Sequence, residues 1–183
     1  MMANNMIINS GVINGNVIQK SAAGTPLTAE KESQKTGGGI SSKYKYDVGI
    51  SYASEQERYV TRVAKILEKE NLRVFFAPNR EEEFLGRDMI TEFYDIYRYE
   101  SMFVACFVSR DYLDKDITMH EAKTAMLREK EEKRNCLIPV YFGGSRLKEL
   151  DPDIHFLDAD RLREVEVAEK IKIIIHSFEK RNR

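Results

Sequence analysis

The chain of 183 residues is long enough for one domain with an extension, and its hydrophobic residues, 42% of the total, are enough to bury a core. Its formal net charge of −1 argues against a nucleic-acid binder that depends on a basic surplus. No apolar run reaches membrane-spanning length, and the N-terminus lacks the features of a secretory signal. We therefore expect a cytoplasmic protein with neither nucleic-acid nor membrane partners.

The cysteines and histidines predict neither a disulfide nor a metal site. Cys106 and Cys136 each lie inside an apolar run, which indicates small buried side chains in a reducing compartment. His120, His155 and His176 are scattered, and none stands at ligand spacing from a cysteine.

Residues 1–43 are rich in Asn, Ser, Gly, Thr and Ala and end in "TGGGISSK". This composition predicts a flexible linker. Within it, "IINSGVINGNVIQK" repeats a β-branched pair followed by Asn or Gln. Two interpretations stay open for this stretch: disorder, or a small strand that self-associates, since Asn-Gly favours a hairpin turn.

Strands and helices alternate from Lys43 onward. The first strand is predicted at Tyr46–Tyr52, and Ser54 with Glu57 predicts a capping box at the start of the first helix. That helix has an inward face of Val60, Val63, Ala64 and Leu67. "LRVFFA", residues 72–77, predicts the second strand, and a polar loop follows at 79–88.

The second half of the chain continues the alternation. A second helix is predicted at 89–100, a buried third strand at 101–109, and a third helix beginning in "DITMHEAKTAM", residues 116–126. A fourth strand at 135–142, a short fifth strand at 154–159 and a closing helix at 166–181 complete the chain. The inward residues predicted for the second helix and the closing helix are Met89, Phe93, Ile96, Tyr97, Ala168, Ile171, Ile174, Ile175 and Phe178.

This order predicts an α/β fold of flavodoxin type: a doubly wound, five-stranded parallel sheet with helices on both faces. In such folds sites form beyond the carboxyl ends of the strands. A dinucleotide-binding Rossmann site is not expected, because the turn after the first strand, "SYASEQE", has no glycine. A phospho-acceptor site is not expected either, because Ser109 stands where the acceptor Asp would be needed.

Four segments in the same order resemble one known family. "YDVGISYASE", "LRVFFAPNREEEFLGRDM", "CFVSRDYLDKDITMHEAKTAM" and "CLIPVYF" are similar to the conserved boxes of the TIR (Toll/interleukin-1 receptor) domain, of the bacterial type that cleaves NAD⁺. The resemblance covers residues 44–183 and implies the TIR fold for that range. Its third helix carries the family's catalytic glutamate, which corresponds to Glu121 here.

The resemblance implies an NAD⁺ glycohydrolase or cyclase, a hydrolase of N-glycosyl bonds. It would release nicotinamide and linear or cyclic ADP-ribose, with NAD⁺ as substrate and no cofactor. It further implies a role in bacterial anti-phage immunity, with activity that depends on self-assembly of TIR domains. The alternative is a non-catalytic TIR scaffold that binds itself, another TIR domain or an effector protein.

The remaining site residues follow from the strand ends and from the same resemblance. Substrate-binding candidates are Ser51, Tyr52, Ala53, Phe76, Arg80 and Ile117, and the expected assembly loop includes Glu83, Leu85, Gly86 and Arg87. Ile117 stands where the family usually has Trp, and Gly49 replaces a large apolar residue, which predicts looser packing in the first strand. Helical angles put Glu121 at the edge of a stripe formed by Met119, Ala122, Ala125 and Met126, while Tyr112 is interpreted as structural.

Overall fold

The structure is a computed structural model that describes residues 43–79, 86, 88–151 and 153–182. Apart from Lys43, the predicted N-terminal extension lies outside the described residues. So do four of the predicted site residues, Arg80, Glu83, Leu85 and Arg87.

A five-stranded, all-parallel sheet forms the centre of the molecule, in the order β2–β1–β3–β4–β5. Its strands are β1 Tyr46–Tyr52, β2 Val74–Phe75, β3 Ser101–Val108, β4 Leu137–Tyr141 and β5 Leu157–Asp158. Every residue of β1 and β3 is buried, as expected for central strands covered on both faces. The strand order is that of flavodoxin, which confirms the predicted fold class.

Helices cover both faces of the sheet. On one face lie α1, Glu57–Lys69, and α5, Glu164–Arg181. On the other lie α2, Met89–Asp95, the short α3, Arg110–Leu113, and α4, Asp116–Glu132. None of the helices in the described ranges combines the length and hydropathy that crossing a bilayer requires.

The inward helix faces are confirmed in most positions. Val60, Val63, Ala64 and Leu67 are fully buried on α1, and Ala168, Ile171 and Ile175 are buried on α5. Met89, Ile174 and Phe178 are only partly buried but pack against the two core clusters. The spacing of apolar residues at intervals of three and four therefore predicted which helix faces point inward.

Two local predictions near the first helix and second strand are wrong. Ser54 is not the N-cap of the first helix: it begins a short 3₁₀ turn, its main-chain carbonyl accepts the Glu57 N–H, and the residue that precedes α1 is Gln56. The second strand pairs with β1 only at Val74 and Phe75, because the chain bends into another 3₁₀ turn at residues 77–79. That bend ends the strand before Ala77.

The second helix does not stay α-helical to residue 100. After α2 it continues as a π-helical segment, Ile96–Glu100, which places Tyr97 directly over Gly49. A Cβ at Gly49 would lie 2.7 Å from Ser101 Oγ and 3.1 Å from the Tyr97 ring. The predicted loosening at Gly49 is therefore wrong, because the Tyr97 ring occupies the space that a side chain would fill.

Candidate active site

Helix α4 places Glu121 in the buried layer beneath the carboxyl end of β1. The Glu121 side chain is 5% exposed and lies on the same helix face as Thr118, Ala122 and Ala125, which are fully buried. The start of α4 is held there by Thr118 Oγ1, which donates to the carbonyl of Tyr112 over 2.5 Å. Glu121 is therefore buried more deeply than the boundary position predicted from helical angles.

Hydrogen bonds link Glu121 to two other buried side chains. Ser51 Oγ donates to Glu121 Oε2 over 2.5 Å, and the Tyr112 hydroxyl lies 2.7 Å from the same Ser51 oxygen. Ser51 is the residue of β1 whose side chain faces the α4 layer at the carboxyl end of the strand. Tyr112 is completely buried and belongs to this chain of hydrogen bonds, so the sequence-based interpretation of it as a packing residue is incomplete.

The environment of Glu121 favours the protonated carboxyl group. Burial raises the pKa of Glu121 to about 8, although the hydrogen bond from Ser51 lowers it in part. Burial also raises the pKa of Cys106, which borders the same cluster, to about 12 and that of Tyr112 well above its ordinary value. Of these three groups, only Glu121 changes its charge near neutral pH.

A cleft of about 260 Å³ between α2 and α4 leads to Glu121. One wall is formed by α2 and the other by the first two turns of α4; the lining residues are Met89, Ile90, Phe93, Asp116, Ile117, His120 and Glu121. Ile117 thus lies beside Glu121, as the sequence predicted for the position where the family usually has Trp. The lining residues on α2 and the pair Asp116 and His120 were not predicted as site residues.

The structure separates the other predicted substrate-binding residues from one another. Ala53 is fully buried in the same core cluster as Tyr112, on the Glu121 side of the sheet. Tyr52 and Phe76 belong to the cluster on the opposite face, where their rings stack at 5.5 Å. Alternation along a strand was the signal for this difference, because Ser51 and Tyr52 are neighbours in β1 and must point to opposite faces.

The predicted assembly loop is represented by one described residue. Gly86 has a φ of +78°, a left-handed conformation that favours glycine. Asp88, the last residue of the loop at 79–88, caps α2 by accepting from the Ile90 N–H and the Thr91 hydroxyl. Because α2 forms one wall of the cleft, a movement at the end of the loop would also move that wall.

No metal-binding cluster of three or more His, Cys, Asp or Glu side chains occurs in the part of the chain that the structure describes.

Comparison with known proteins identifies relatives of the domain. The family model described as TIR domain matches residues 48–172. A curated relative, the 3' cyclic ADP-D-ribose synthase AaTIR of Aquimarina amphilecti, is 28% identical over 125 residues, which are 68% of this chain. The match spans only 38% of that relative's length.

Solved structures show the same fold. The TIR domain of the Toll-related receptor TRR-2 from Hydra magnipapillata superposes with a TM-score of 0.52 and 16% sequence identity. The superposition covers 75% of this chain and 97% of the receptor domain. At this level of identity the similarity concerns the fold alone.

Proposed function

The chain belongs to the TIR domain family, and we propose that it cleaves NAD⁺ at the bond between nicotinamide and ribose, with Glu121 as the catalytic carboxylate. The observation that carries this proposal is the position of Glu121: it is buried, hydrogen-bonded to Ser51 and reached through a cleft at the carboxyl edge of a parallel sheet. The relative AaTIR, by its name a cyclic ADP-ribose synthase, supports the same reaction class.

The reaction needs few protein groups, since the leaving group is already activated. When the C–N bond to ribose breaks, the electron pair goes to the positively charged nicotinamide ring, which leaves as a neutral molecule and needs no general acid. The ribose becomes an oxocarbenium-like cation, and a fixed carboxylate beside it stabilises that charge. Water then gives ADP-ribose and a proton, whereas an oxygen or nitrogen of the same molecule gives a cyclic product.

For this role Glu121 must be ionised. With a pKa of about 8, the carboxyl is mostly protonated at pH 7 in the free protein. A bound NAD⁺ molecule would place its cationic nicotinamide ring near the carboxyl, and a nearby positive charge lowers the pKa of an acid. Substrate binding would thus produce the charge on which the reaction depends.

The size of the cleft supports a role for self-assembly. Its volume of about 260 Å³ is below the range of roughly 300–1,000 Å³ that small-molecule sites usually occupy, and NAD⁺ is a large ligand. The cleft can take one end of the dinucleotide, and the rest needs a wider opening or a second surface. We propose that TIR–TIR contacts through the loop at residues 79–88, which precedes α2, supply that change.

The biological setting remains part of the proposal. A cytoplasmic effector of bacterial anti-phage immunity, switched on when TIR domains assemble, fits NAD⁺ cleavage in an assembly-dependent site. The second candidate function is a scaffold that binds TIR domains without catalysis. Two observations favour it: Ile117 replaces the aromatic residue usual in the family, and burial keeps Glu121 protonated near neutral pH.

The two functions are separated by incubating the full chain with NAD⁺ across a wide range of protein concentrations and measuring free nicotinamide by chromatography. We expect release that rises more steeply than protein concentration and is abolished by Glu121→Gln. The matched control is Glu149→Gln, which neutralises an exposed loop acid and should retain full activity. Absence of nicotinamide release at every concentration would support the scaffold instead.

A further inference from the structure

Tyr112 holds its hydroxyl group in a fixed place inside the protein. The residue is fully buried in α3, where its N–H donates to the capping hydroxyl of Ser109 over 3.1 Å. Its carbonyl accepts the hydrogen bond from Thr118 at the start of α4. The backbone around Tyr112 is therefore tied to the strand before it and to the helix that carries Glu121.

The directions of the hydrogen bonds follow from the number of available protons. A serine hydroxyl has a single proton, and Ser51 donates it to Glu121. Either hydroxyl could be the donor in the short contact between Ser51 and Tyr112. While the Ser51 proton is given to an ionised Glu121, the donor in that contact is the phenol. With Glu121 ionised, all donors point the same way, from Tyr112 to Ser51 and from Ser51 to the carboxylate.

We infer that Tyr112 is a positioning residue for Glu121: through Ser51, its hydroxyl orients and stabilises the ionised carboxylate. This role rests on the function proposed for Glu121 and extends it to a residue that does not touch the cleft. Donors linked in series polarise one another, so a phenol behind Ser51 strengthens the hydrogen bond that Ser51 gives to the carboxylate. The phenol keeps its proton throughout the relevant pH range, because burial raises its pKa well above the ordinary value.

The other groups around Glu121 do not offer the same support. The titratable neighbours from the packed elements are Cys106 on β3, Tyr97 in the π-helical segment, Tyr112 on α3, and Asp116 and His120 on α4 itself. The Tyr97 hydroxyl donates to the carbonyl of Ile50 over 2.9 Å, so its proton points away from Glu121. Asp116 and His120 are exposed at the cleft. Cys106 has side-chain hydrogen bonds with both Ser51 and Tyr112, but a thiol is a weak donor. Among the described neighbours, the Tyr112 phenol is therefore the strong donor that continues the chain through Ser51.

The test compares Tyr112→Phe with Tyr97→Phe, because each substitution removes one buried hydroxyl and keeps the ring. The protonation of Glu121 is followed by NMR of a ¹³C-labelled carboxyl group, which needs no catalytic turnover. We expect Tyr112→Phe to make the proton on Glu121 bind about threefold to tenfold more tightly, the size of one lost hydrogen bond. Tyr97→Phe should leave this titration unchanged.

A second arm shows whether Tyr112 acts through Ser51. In the Ser51→Ala background, adding Tyr112→Phe should leave the Glu121 titration where Ser51→Ala alone puts it, because the link is already broken. A full further shift in the double variant, or no shift in Tyr112→Phe itself, would overturn the inference. If Tyr112→Phe does not fold, 3-fluorotyrosine at position 112, a stronger donor, should weaken proton binding at Glu121, and an unchanged titration would overturn the inference.

Nicotinamide release by the same variants keeps this inference distinct from the proposed function. If the carboxyl titration shifts as expected but no variant releases nicotinamide, Tyr112 positions Glu121 and the enzymatic proposal fails. If nicotinamide release depends on Glu121 while Tyr112→Phe leaves both the titration and the pH profile unchanged, the enzymatic proposal stands and the inference fails.

Discussion

At the scale of single residues, the site combines an acid with an environment that opposes its charge. Glu121 lies among apolar and neutral hydrogen-bonding groups, and the described structure pairs it with Ser51 but with no cation. Burying an unpaired carboxylate costs stability, which is why the folded protein favours the protonated form. This is a common feature of active-site acids, whose pKa is shifted by the same burial that prepares them for catalysis.

Under the proposed function, Ser51 should therefore control the pH at which NAD⁺ cleavage begins. Ser51→Ala removes the hydrogen bond that lowers the pKa of Glu121, so the acid limb of kcat/KM should move to higher pH. We expect a loss of about tenfold to hundredfold at pH 7 that shrinks as the pH rises, measured by nicotinamide release. The exposed Ser177→Ala serves as the control, and an equal loss at all pH values would argue against this role of Ser51.

The same burial makes the stability of the protein depend on pH. The folded-state pKa of Glu121, about 8, lies above the unfolded value of 4.5, so the folded state binds the proton more tightly. This contribution to stability is fully present below pH 4.5 and is lost as the pH rises to about 8. The Glu121→Gln variant has no ionisable group at this position, so its free energy of unfolding should not fall in this way as the pH rises.

Urea unfolding of the wild type and Glu121→Gln between pH 5 and pH 9 measures this difference directly. Between pH 5 and pH 9, the free energy of unfolding of the variant should rise by about 2 to 4 kcal/mol relative to that of the wild type. Other titrating groups cancel in the comparison, because they are present in both proteins. A constant difference across the range would mean that Glu121 is already ionised in the folded state.

At the scale of elements, the π-helical segment determines how the layer above Glu121 is packed. The extra residue per turn brings Tyr97 over Gly49 and lets its hydroxyl donate to the carbonyl of Ile50 in β1. The ring of Tyr97 also contacts Phe75 and Phe93 at centroid distances of 5.8 and 6.2 Å. Gly49 thus allows close contact between the central strand and the segment that follows the cleft wall α2.

Gly49→Ala should be destabilising because the new methyl group has no free space. It would lie 2.7 Å from Ser101 Oγ and 3.1 Å from the Tyr97 ring, closer than atoms normally approach. We expect a loss of about 1–3 kcal/mol in the free energy of unfolding, measured with urea. Adding Ser101→Ala removes the nearest atom and should recover part of the loss; additive effects of the two substitutions would contradict this explanation.

At the scale of the whole molecule, much of the fold was predictable because its signals are local. The apolar run of β3 and the helical spacing on α1 and α5 each lie within a few residues. The alternation of strands and helices then limits the topology, since crossovers between parallel strands are right-handed. The placement of Glu121 in the first turns of α4 followed from the order of motifs, whereas its deep burial did not.

The interactions of the site were not predictable, because they join residues far apart in sequence. Ser51 is separated in the sequence by 61 residues from Tyr112 and by 70 residues from Glu121, and no local sequence pattern predicts contacts between residues so far apart. The packing of Tyr97 over Gly49 likewise depends on a π-helical turn that no pattern in the sequence predicts. The placement of Tyr52 and Phe76 on the opposite face could have been inferred from strand alternation alone.

The proposed function of the whole molecule depends on whether Glu121 carries out chemistry. The most direct measurement is the rate of nicotinamide release from NAD⁺ by the wild type and by Glu121→Gln, both at the same high protein concentration. The proposal predicts a measurable rate for the wild type and a rate at least about a hundredfold lower for the variant. Equal rates would contradict the assignment of Glu121 as the catalytic carboxylate.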